Sequence, residues 1–202
     1  MRTFRFPLIL AVLLVAANAA LAQRPASPRG EAAIQVGGSY EGRNYVGGKW
    51  ISIDYGRPIL RGRTGFFGAG SDYGKGANAG APVWRAGANK STRLTTEADL
   101  KIGDKTVPAG EYSMFVDLKE GDWTLILSTH AAKDGFREPG EGLWGAYNYT
   151  PDKDVLRVSM DLSSIPVSYE QLTYAFVDVT AEGGTLALMW EKTLATVSFS
   201  LP

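Results

Sequence analysis

Residues 93–127 read RLTTEADLKIGDKTVPAGEYSMFVDLKEGDWTLIL, and apolar side chains alternate with polar ones along most of this stretch. Alternation with a period of two places one face of a strand in a core and the other face in water. The Gly103-Asp104, Pro108–Gly110 and Glu120–Asp122 segments supply the residues that tight turns require. The alternating apolar-face positions are Leu94, Thr96, Ala98, Leu100 and Ile102, then Tyr112, Met114, Val116 and Leu118, then Trp123, Leu125 and Leu127. The stretch therefore predicts successive antiparallel strands joined by turns.

The same period recurs through the rest of the chain, and no stretch has a convincing helical period. About nine strands are expected, which indicates a single all-β domain, either a β-sandwich or a barrel. Two long segments, 56–91 and 129–152, interrupt the strands. Because long loops suit crossovers between sheets, we favour a jelly-roll-like antiparallel β-sandwich. The predicted core includes Leu100, Met114, Leu125, Leu156, Val158, Tyr174, Leu188 and Trp190.

Composition excludes several classes of protein. The 202 residues contain 21 Lys+Arg, 21 Asp+Glu, one His and no Cys, and 45% of them are hydrophobic. A chain this apolar is not disordered by composition. The absence of Cys excludes disulfide scaffolds, thiolate zinc sites and cysteine nucleophiles, and a single His excludes sites with several His ligands. No metal or other cofactor is predicted, and zero net charge gives no reason to expect a nucleic-acid partner.

The N-terminal segment is predicted to be a signal peptide covering residues 1–22. Arg2 and Arg5 precede the apolar run 8–17, and Ala20-Leu21-Ala22 has the small-x-small pattern of a cleavage site. The run is too short for a stable membrane span, so no membrane anchor is expected after cleavage. A buried N-terminal helix is the alternative interpretation. Residues 23–31 are expected to be a flexible leader, and residues 32–202 the β-sandwich domain of a periplasmic or extracellular protein.

The two long loops carry the residues that we consider candidates for ligand binding. The first loop contains the Trp84-Arg85-x-Gly87-x-Asn89 element together with Arg57, Arg61 and Arg63. Guanidinium groups bind carboxylate, phosphate or sulfate through paired hydrogen bonds, so these residues could form an anion site. The second loop contains aromatic residues that suit a carbohydrate platform, with Asn148 among them: Phe136, Trp144, Tyr147 and Tyr149. The alternative for both sets is a structural role in packing the loops.

Seven segments resemble a known family. They read YGRPILRGR (55–63), VWRAGANKST (83–92), PAGEYSMF (108–115), WGAYNY (144–149), DVLRV (154–158), LTYAF (172–176) and LMWEK (188–192). In this order they are similar to the secreted bacterial family catalogued as domain of unknown function number 2911. The resemblance implies an exported all-β domain with no established activity. Two stretches depart from the family pattern, a Gly/Ala-rich segment within 65–82 and a longer loop before Trp144, so the family's pocket need not be identical here.

Catalytic chemistry has little support in the sequence. His130 is the single candidate for an imidazole base, but no Gly-x-Ser-x-Gly nucleophile motif accompanies it. Glu111, Glu170 and Glu191 are most simply outward-facing, although carboxylates that meet only in the fold could still form an acid–base pair.

We therefore predict a noncatalytic exported module that binds a small-molecule or carbohydrate ligand, including anionic ones. The candidate ligand-binding residues are Arg57, Arg61, Trp84, Arg85, Asn89, Trp144 and Tyr147. The alternatives are a carboxylate-based hydrolase or isomerase of the periplasm and a structural or interaction domain of the cell envelope. Because neither long loop can bury its large aromatic residues alone, we also predict that the two loops meet at one end of the domain.

Overall fold

A computed structural model describes residues 26–202, so the predicted signal peptide and Gln23–Pro25 of the leader lie outside the described residues. The described chain contains twelve strands rather than nine. They are β1 (Arg29–Val36), β2 (Ser39–Glu41), β3 (Asn44–Val46), β4 (Lys49–Gly56), β5 (Thr92–Thr96), β6 (Leu100–Ile102), β7 (Lys105–Val107), β8 (Gly110–Lys119), β9 (Asp122–Ser128), β10 (Asp154–Ser159), β11 (Asp161–Val177) and β12 (Gly183–Ser200). Helix is limited there to α1 (Lys75–Asn78) and two 3-10 turns, Gly70–Asp72 and Pro151–Lys153.

The strands form two principal sheets, and every pairing between named strands in them is antiparallel. One sheet has six strands in the order β1-β4-β5-β8-β9-β10, the other has four in the order β11-β12-β6-β7, and β2 and β3 form a separate hairpin. Side chains from both principal sheets pack into one hydrophobic core. The predicted antiparallel β-sandwich is thus confirmed.

Two expectations about the connections are wrong. Each long loop joins strands that are neighbours in the six-stranded sheet, β4 to β5 and β9 to β10, and neither crosses between sheets. The run from Leu94 to Ile102 is two strands in different sheets, because the chain turns at 97–99. There Thr96 Oγ1 donates to Ala98 O at 2.6 Å, and Asp99 accepts the Ala109 N–H at 2.8 Å.

The predicted core is confirmed at seven of eight positions. Leu100, Met114, Leu125, Leu156, Tyr174, Leu188 and Trp190 are buried. Val158 is half-buried, because it lies on β10 at the edge of the six-stranded sheet and packs against the rim of the core. Residues 29–31, placed in the leader by the sequence analysis, form the start of β1 and pair with β4.

A second apolar cluster lies on the outer face of the six-stranded sheet. Phe115 and Ile126 point away from the sandwich core, because their neighbours Met114 and Leu127 point into it. Both long loops cover these two residues, through Ala81, Val83, Leu143, Ala146 and Tyr149. The sheet is therefore buried on both faces at β8 and β9.

Candidate functional site

The segment around Trp84 continues the pairing with β8 beyond Thr92, the residue at which β5 begins. Trp84 and Val116 of β8 exchange two backbone hydrogen bonds of 2.9 Å. Strand alternation then sends neighbouring side chains to opposite faces. Trp84 enters the sandwich core and stacks on Trp190, with 6.2 Å between ring centroids and 10° between ring planes. Arg85 turns outward, where its guanidinium lies 5.3 Å from the ring centroid of Tyr147.

A tight turn follows at 86–89 and packs against the end of β4. Ala86 and Asn89 both have positive φ angles, of 52° and 64°. The Ala86 carbonyl accepts hydrogen bonds from Thr92 Oγ1 at 3.1 Å and from the buried Tyr174 hydroxyl at 2.8 Å. Gly56 must be glycine here, because a Cβ at that position would lie 1.8 Å from Ala88 O.

This turn borders a cavity of about 240 Å³, which we call the Trp84 cavity. Its lining comprises Ser27, Pro58, Arg63, Phe66, Ala77, Trp84, Arg85, Gly87, Ala88, Asn89 and Trp190. The lining combines three large aromatic rings with two arginines, and it includes no Asp or Glu among the described residues. The indole Nε1–H of Trp190 is buried and has no hydrogen-bond partner within residues 26–202. Trp190 is only 1% exposed and this nitrogen has almost no accessible surface, so the N–H is a cost of packing the indole in the core and not a donor open to the cavity.

Glu191 holds one wall of the Trp84 cavity in place. Its carboxylate accepts the backbone N–H of Gly65 at 2.5 Å and of Phe66 at 3.1 Å. This contact sets Phe66 against Trp190, with ring centroids 4.2 Å apart. Glu191 has a φ of 54° and pairs with Tyr169 between two register shifts in the pairing of β11 with β12. Glu191, which was expected simply to face outward, therefore positions the first loop.

A second opening, of about 480 Å³, adjoins the Trp84 cavity and is called here the Trp144 cleft. Its lining comprises Ser27, Arg29, Tyr55, Gly56, Ala88, Asn89, Lys90, Asp134 and Trp144. Ser27, Ala88 and Asn89 line both the cavity and the cleft, and Asn89 Nδ2 donates to Ser27 O at 3.3 Å. The two spaces therefore lie on either side of this contact and share part of their walls.

The cations of the Trp144 cleft are paired with carboxylates. Lys90 Nζ lies 2.5 Å from Asp54 Oδ2 and 3.6 Å from Asp134 Oδ1, and Arg29 Nε donates to Asp54 at 2.9 Å. Asp134 also accepts a hydrogen bond from Arg93 at 2.8 Å, and that guanidinium lowers the pKa of the Asp134 carboxyl. The cleft is therefore polar with balanced charge, whereas the Trp84 cavity is positive.

The two long loops contact each other, as predicted, but they do so over the outer face of the six-stranded sheet and not at one end of the domain. In addition to the Arg85–Tyr147 contact, the Tyr147 hydroxyl donates to Ala79 O at 3.3 Å. Ser91 Oγ, which is fully buried, lies within hydrogen-bond distance of both Leu143 O and Gly145 O. The loops meet over the outer face of the six-stranded sheet, because Phe115 and Ile126 offer them an apolar surface to cover.

Two of the candidate arginines lie outside the Trp84 cavity and bind backbone. Arg57 is half-buried and donates to Leu172 O at 3.0 Å and to Thr173 Oγ1 at 2.9 Å. Arg61 donates to Ala26 O at 2.8 Å. Neither residue lines the cavity or the cleft. The other five of the seven candidate residues either line one of these two spaces or, in the case of Tyr147, contact Arg85 from the second loop.

The aromatic residues that were predicted to form a carbohydrate platform do not share one surface. Tyr149 is buried, Phe136 is 72% exposed, and Trp144 lines the cleft. Conversely, Phe66 and Trp190 were not among the candidates. Alternation identified Trp190 only as a core residue, and no local pattern marks Phe66 as its neighbour.

His130 and Tyr149 form a buried polar group beneath the second loop. His130 is buried rather than on the loop surface, and its Nε2 lies 3.0 Å from Thr150 O. The Tyr149 hydroxyl donates to Asp154 Oδ2 at 2.6 Å and accepts from Arg157 at 3.1 Å. Burial, reinforced by the Asp154 carboxylate, raises the pKa of Tyr149 well above its ordinary value. These contacts stabilise the loop and lie outside the lining of the Trp84 cavity.

Comparison with known protein families supports the resemblance that the seven sequence segments indicated. A model of a protein family of unknown function, DUF2911, matches residues 39–199, which include both long loops, the strands β2 to β11 and all but the last residue of β12. The chain belongs to this family. Searches of curated proteins and of solved structures found no match. The DUF2911 match therefore covers every lining residue of the Trp84 cavity except Ser27.

Two features of the described DUF2911 domain concern metals and membranes. Residues 26–202 contain no group of three or more His, Asp or Glu side chains arranged to hold a metal ion. Over the same residues, no helix has the length and apolar character needed to cross a membrane.

Proposed function

We propose that this protein is a noncatalytic binding module for a small ligand that carries an acidic group. The single observation that supports this function is the lining of the Trp84 cavity, where three aromatic residues and two arginines occur with no carboxylate from residues 26–202. Because that lining lacks an acid–base pair, the geometry gives no support for carboxylate-based hydrolysis or isomerisation in this cavity.

Each part of the cavity has a chemical role in the proposal. We propose that Arg85 binds the ligand's carboxylate through its remaining donors, since its Nη1 donates to Asn89 O at 3.0 Å and its guanidinium also lies against the Tyr147 ring at the outer face of the sheet. The half-buried Phe66 provides apolar contact for a ring, whereas Trp84 and Trp190, each 1% exposed, form the apolar floor beneath it. Typical ligand pockets have volumes of roughly 300–1,000 Å³. The smaller volume of the Trp84 cavity favours a ligand of monosaccharide size.

Titration calorimetry of the purified protein with D-glucuronate and D-glucose tests the proposal. We expect saturable binding of glucuronate and little binding of glucose, because only the acid can pair with Arg85. Arg85→Ala should weaken glucuronate binding by about tenfold or more, since charge-assisted hydrogen bonds contribute more than 1.4 kcal/mol.

Arg43→Ala is the matched control. Arg43 is exposed in the turn between β2 and β3 and is absent from the lining of the cavity and the cleft, so its loss should leave binding unchanged. A structural role for Arg85 predicts the opposite pattern: Arg85→Ala would lower the melting temperature by several degrees, and glucuronate would not bind to the parent protein.

We also propose that the protein is exported after cleavage between Ala22 and Gln23. The basic start, the short apolar run and the Ala20-Leu21-Ala22 pattern support this proposal. Intact-mass analysis of protein recovered outside the cytoplasm should give a chain beginning at Gln23. Recovery of a membrane-bound species that retains residues 1–22 would contradict it.

A further inference from the structure

The Trp84 cavity and the Trp144 cleft are adjacent but chemically different. They share Ser27, Ala88 and Asn89 as wall residues, so a ligand that occupied both would pass over this boundary. Among the described residues the cavity has no carboxylate in its lining, and its arginines, Arg63 and Arg85, donate to backbone carbonyls without a salt-bridge partner. The cleft offers an indole ring and hydrogen-bonding groups whose charges are already paired within the protein.

From this contrast we infer that the ligand is an acidic oligosaccharide of at least two units that spans both spaces. The uronic acid unit lies in the Trp84 cavity with its carboxylate on Arg85. The neighbouring unit is a neutral sugar in the Trp144 cleft. This inference rests on the function proposed above and adds the length and composition of the ligand.

The cleft suits a neutral sugar better than a second acid. Lys90 and Arg29 are held by Asp54, and Asp134 would repel a carboxylate nearby. Lys90 can donate hydrogen bonds to sugar hydroxyls, and Asp134 can accept hydrogen bonds from them. The half-buried Trp144 offers a flat apolar surface for the other face of a sugar ring.

The boundary between the two spaces fits a glycosidic linkage. It consists of the small residues Ser27 and Ala88 and the exposed Asn89, whose side chain makes one long hydrogen bond, of 3.3 Å, within the described part of the chain. An ether oxygen between two sugar rings occupies little volume and accepts a hydrogen bond, which the Asn89 amide can supply. The linkage would therefore lie over this contact while each ring occupies its own space.

Comparison of three sugars by calorimetry tests the inference. The probes are D-glucuronate, cellobiose and cellobiouronate, in which glucuronate is linked β-1,4 to glucose. We expect cellobiouronate to bind about tenfold or more tightly than glucuronate, and cellobiose to bind weakly. Trp144→Ala should abolish the gain from the second unit and leave glucuronate binding unchanged, whereas Arg85→Ala should weaken both acids.

Trp50→Ala is the matched control, because Trp50 is 48% exposed and absent from the lining of both spaces. Trp144→Phe keeps an aromatic surface, so it should retain most of the gain and also guard against misfolding of the alanine variant. Equal affinity for glucuronate and cellobiouronate, or a gain that survives in Trp144→Ala, would overturn the two-unit ligand while leaving the proposed function intact. Failure of glucuronate itself to bind would overturn the proposed function and this inference with it.

Discussion

Single residues at the site act largely by holding backbone. Glu191, Arg57 and Arg61 each contact a segment more than thirty positions away in the chain, and each fixes part of the first long loop. Such contacts satisfy N–H and C=O groups that a long irregular loop cannot pair by itself. The loop therefore has a defined shape even though it contains little regular secondary structure.

Glu191→Gln should destabilise the protein by roughly 1–2 kcal/mol, because an amide replaces a charged acceptor of two backbone hydrogen bonds. Urea unfolding measures the change. Glu111→Gln is the control, since Glu111 is exposed and its distance to Arg93 is 3.8 Å, and this substitution should change stability by less than about 0.5 kcal/mol. Equal effects of the two substitutions would show that Glu191 does not hold the loop.

Leu156→Ala should cost roughly 2–5 kcal/mol, the range for truncation of a buried Leu. Leu156 is 2% exposed in the sandwich core, whereas its neighbour Val155 is 38% exposed on the opposite face of β10. Val155→Ala should therefore change the free energy of unfolding by only about 0.5 kcal/mol. A reversal of the two values in urea unfolding would mean that β10 is shifted by one residue.

At the scale of elements, the six-stranded sheet is the support on which both long loops are arranged. Its outer face would expose Phe115 and Ile126 without them, so covering these side chains drives the loops together. Loop contact then brings Tyr147 against Arg85 and Trp144 into the cleft beside Asn89.

Ser91→Ala tests this dependence between the loops. Ser91 is fully buried beside two carbonyls of the second loop, so its loss should cost roughly 1–3 kcal/mol. Hydrogen exchange should also become faster at 143–149, because that segment loses its attachment. Ser163→Ala, on the exposed side of β11, should alter neither quantity. Unchanged exchange in Ser91→Ala would indicate that the apolar cluster alone holds the loop.

At the scale of the whole molecule, buried phenols make stability sensitive to alkaline pH. Burial is the main reason that the pKa values of Tyr73, Tyr112, Tyr149 and Tyr174 are raised. The unfolded chain loses these protons near the ordinary tyrosine pKa of about 10, whereas the folded chain holds them to higher pH. The stabilisation is complete below pH 10 and is lost as the pH rises toward the folded-state values.

Tyr149→Phe should reduce this loss of stability above about pH 10, because Tyr149 would ionise beside the Asp154 carboxylate. Unfolding free energies measured on both sides of that pH give the slope for each variant. Tyr40→Phe is the control, since Tyr40 is 75% exposed, and it should keep the parent's slope. A Tyr149→Phe slope equal to the parent's would exclude Tyr149 as a contributor.

The sequence by itself determined the fold class, most of the core and several turns. Alternation is a local property of extended backbone, so Met114, Leu125 and Leu156 could be assigned to the core without knowing their partners. The turns at Gly103-Asp104 and Glu120-Gly121 were likewise predictable, because each joins β-strands through two residues with strong turn preferences. The family motifs were also visible in the linear sequence.

Only the tertiary structure decided which strands share a sheet and which residues share a cavity. The break at 97–99 follows from hydrogen bonds to Ala98 and Ala109, which alternation alone does not reveal. Trp84 and Arg85 lie on opposite faces because Trp84 pairs with Val116, thirty-two positions away. The cavity likewise joins Phe66, Trp84 and Trp190 through contacts between distant segments. The physical reason is that side-chain direction is set locally by the backbone, whereas neighbours across a sheet are chosen by the burial and hydrogen bonding of the whole chain.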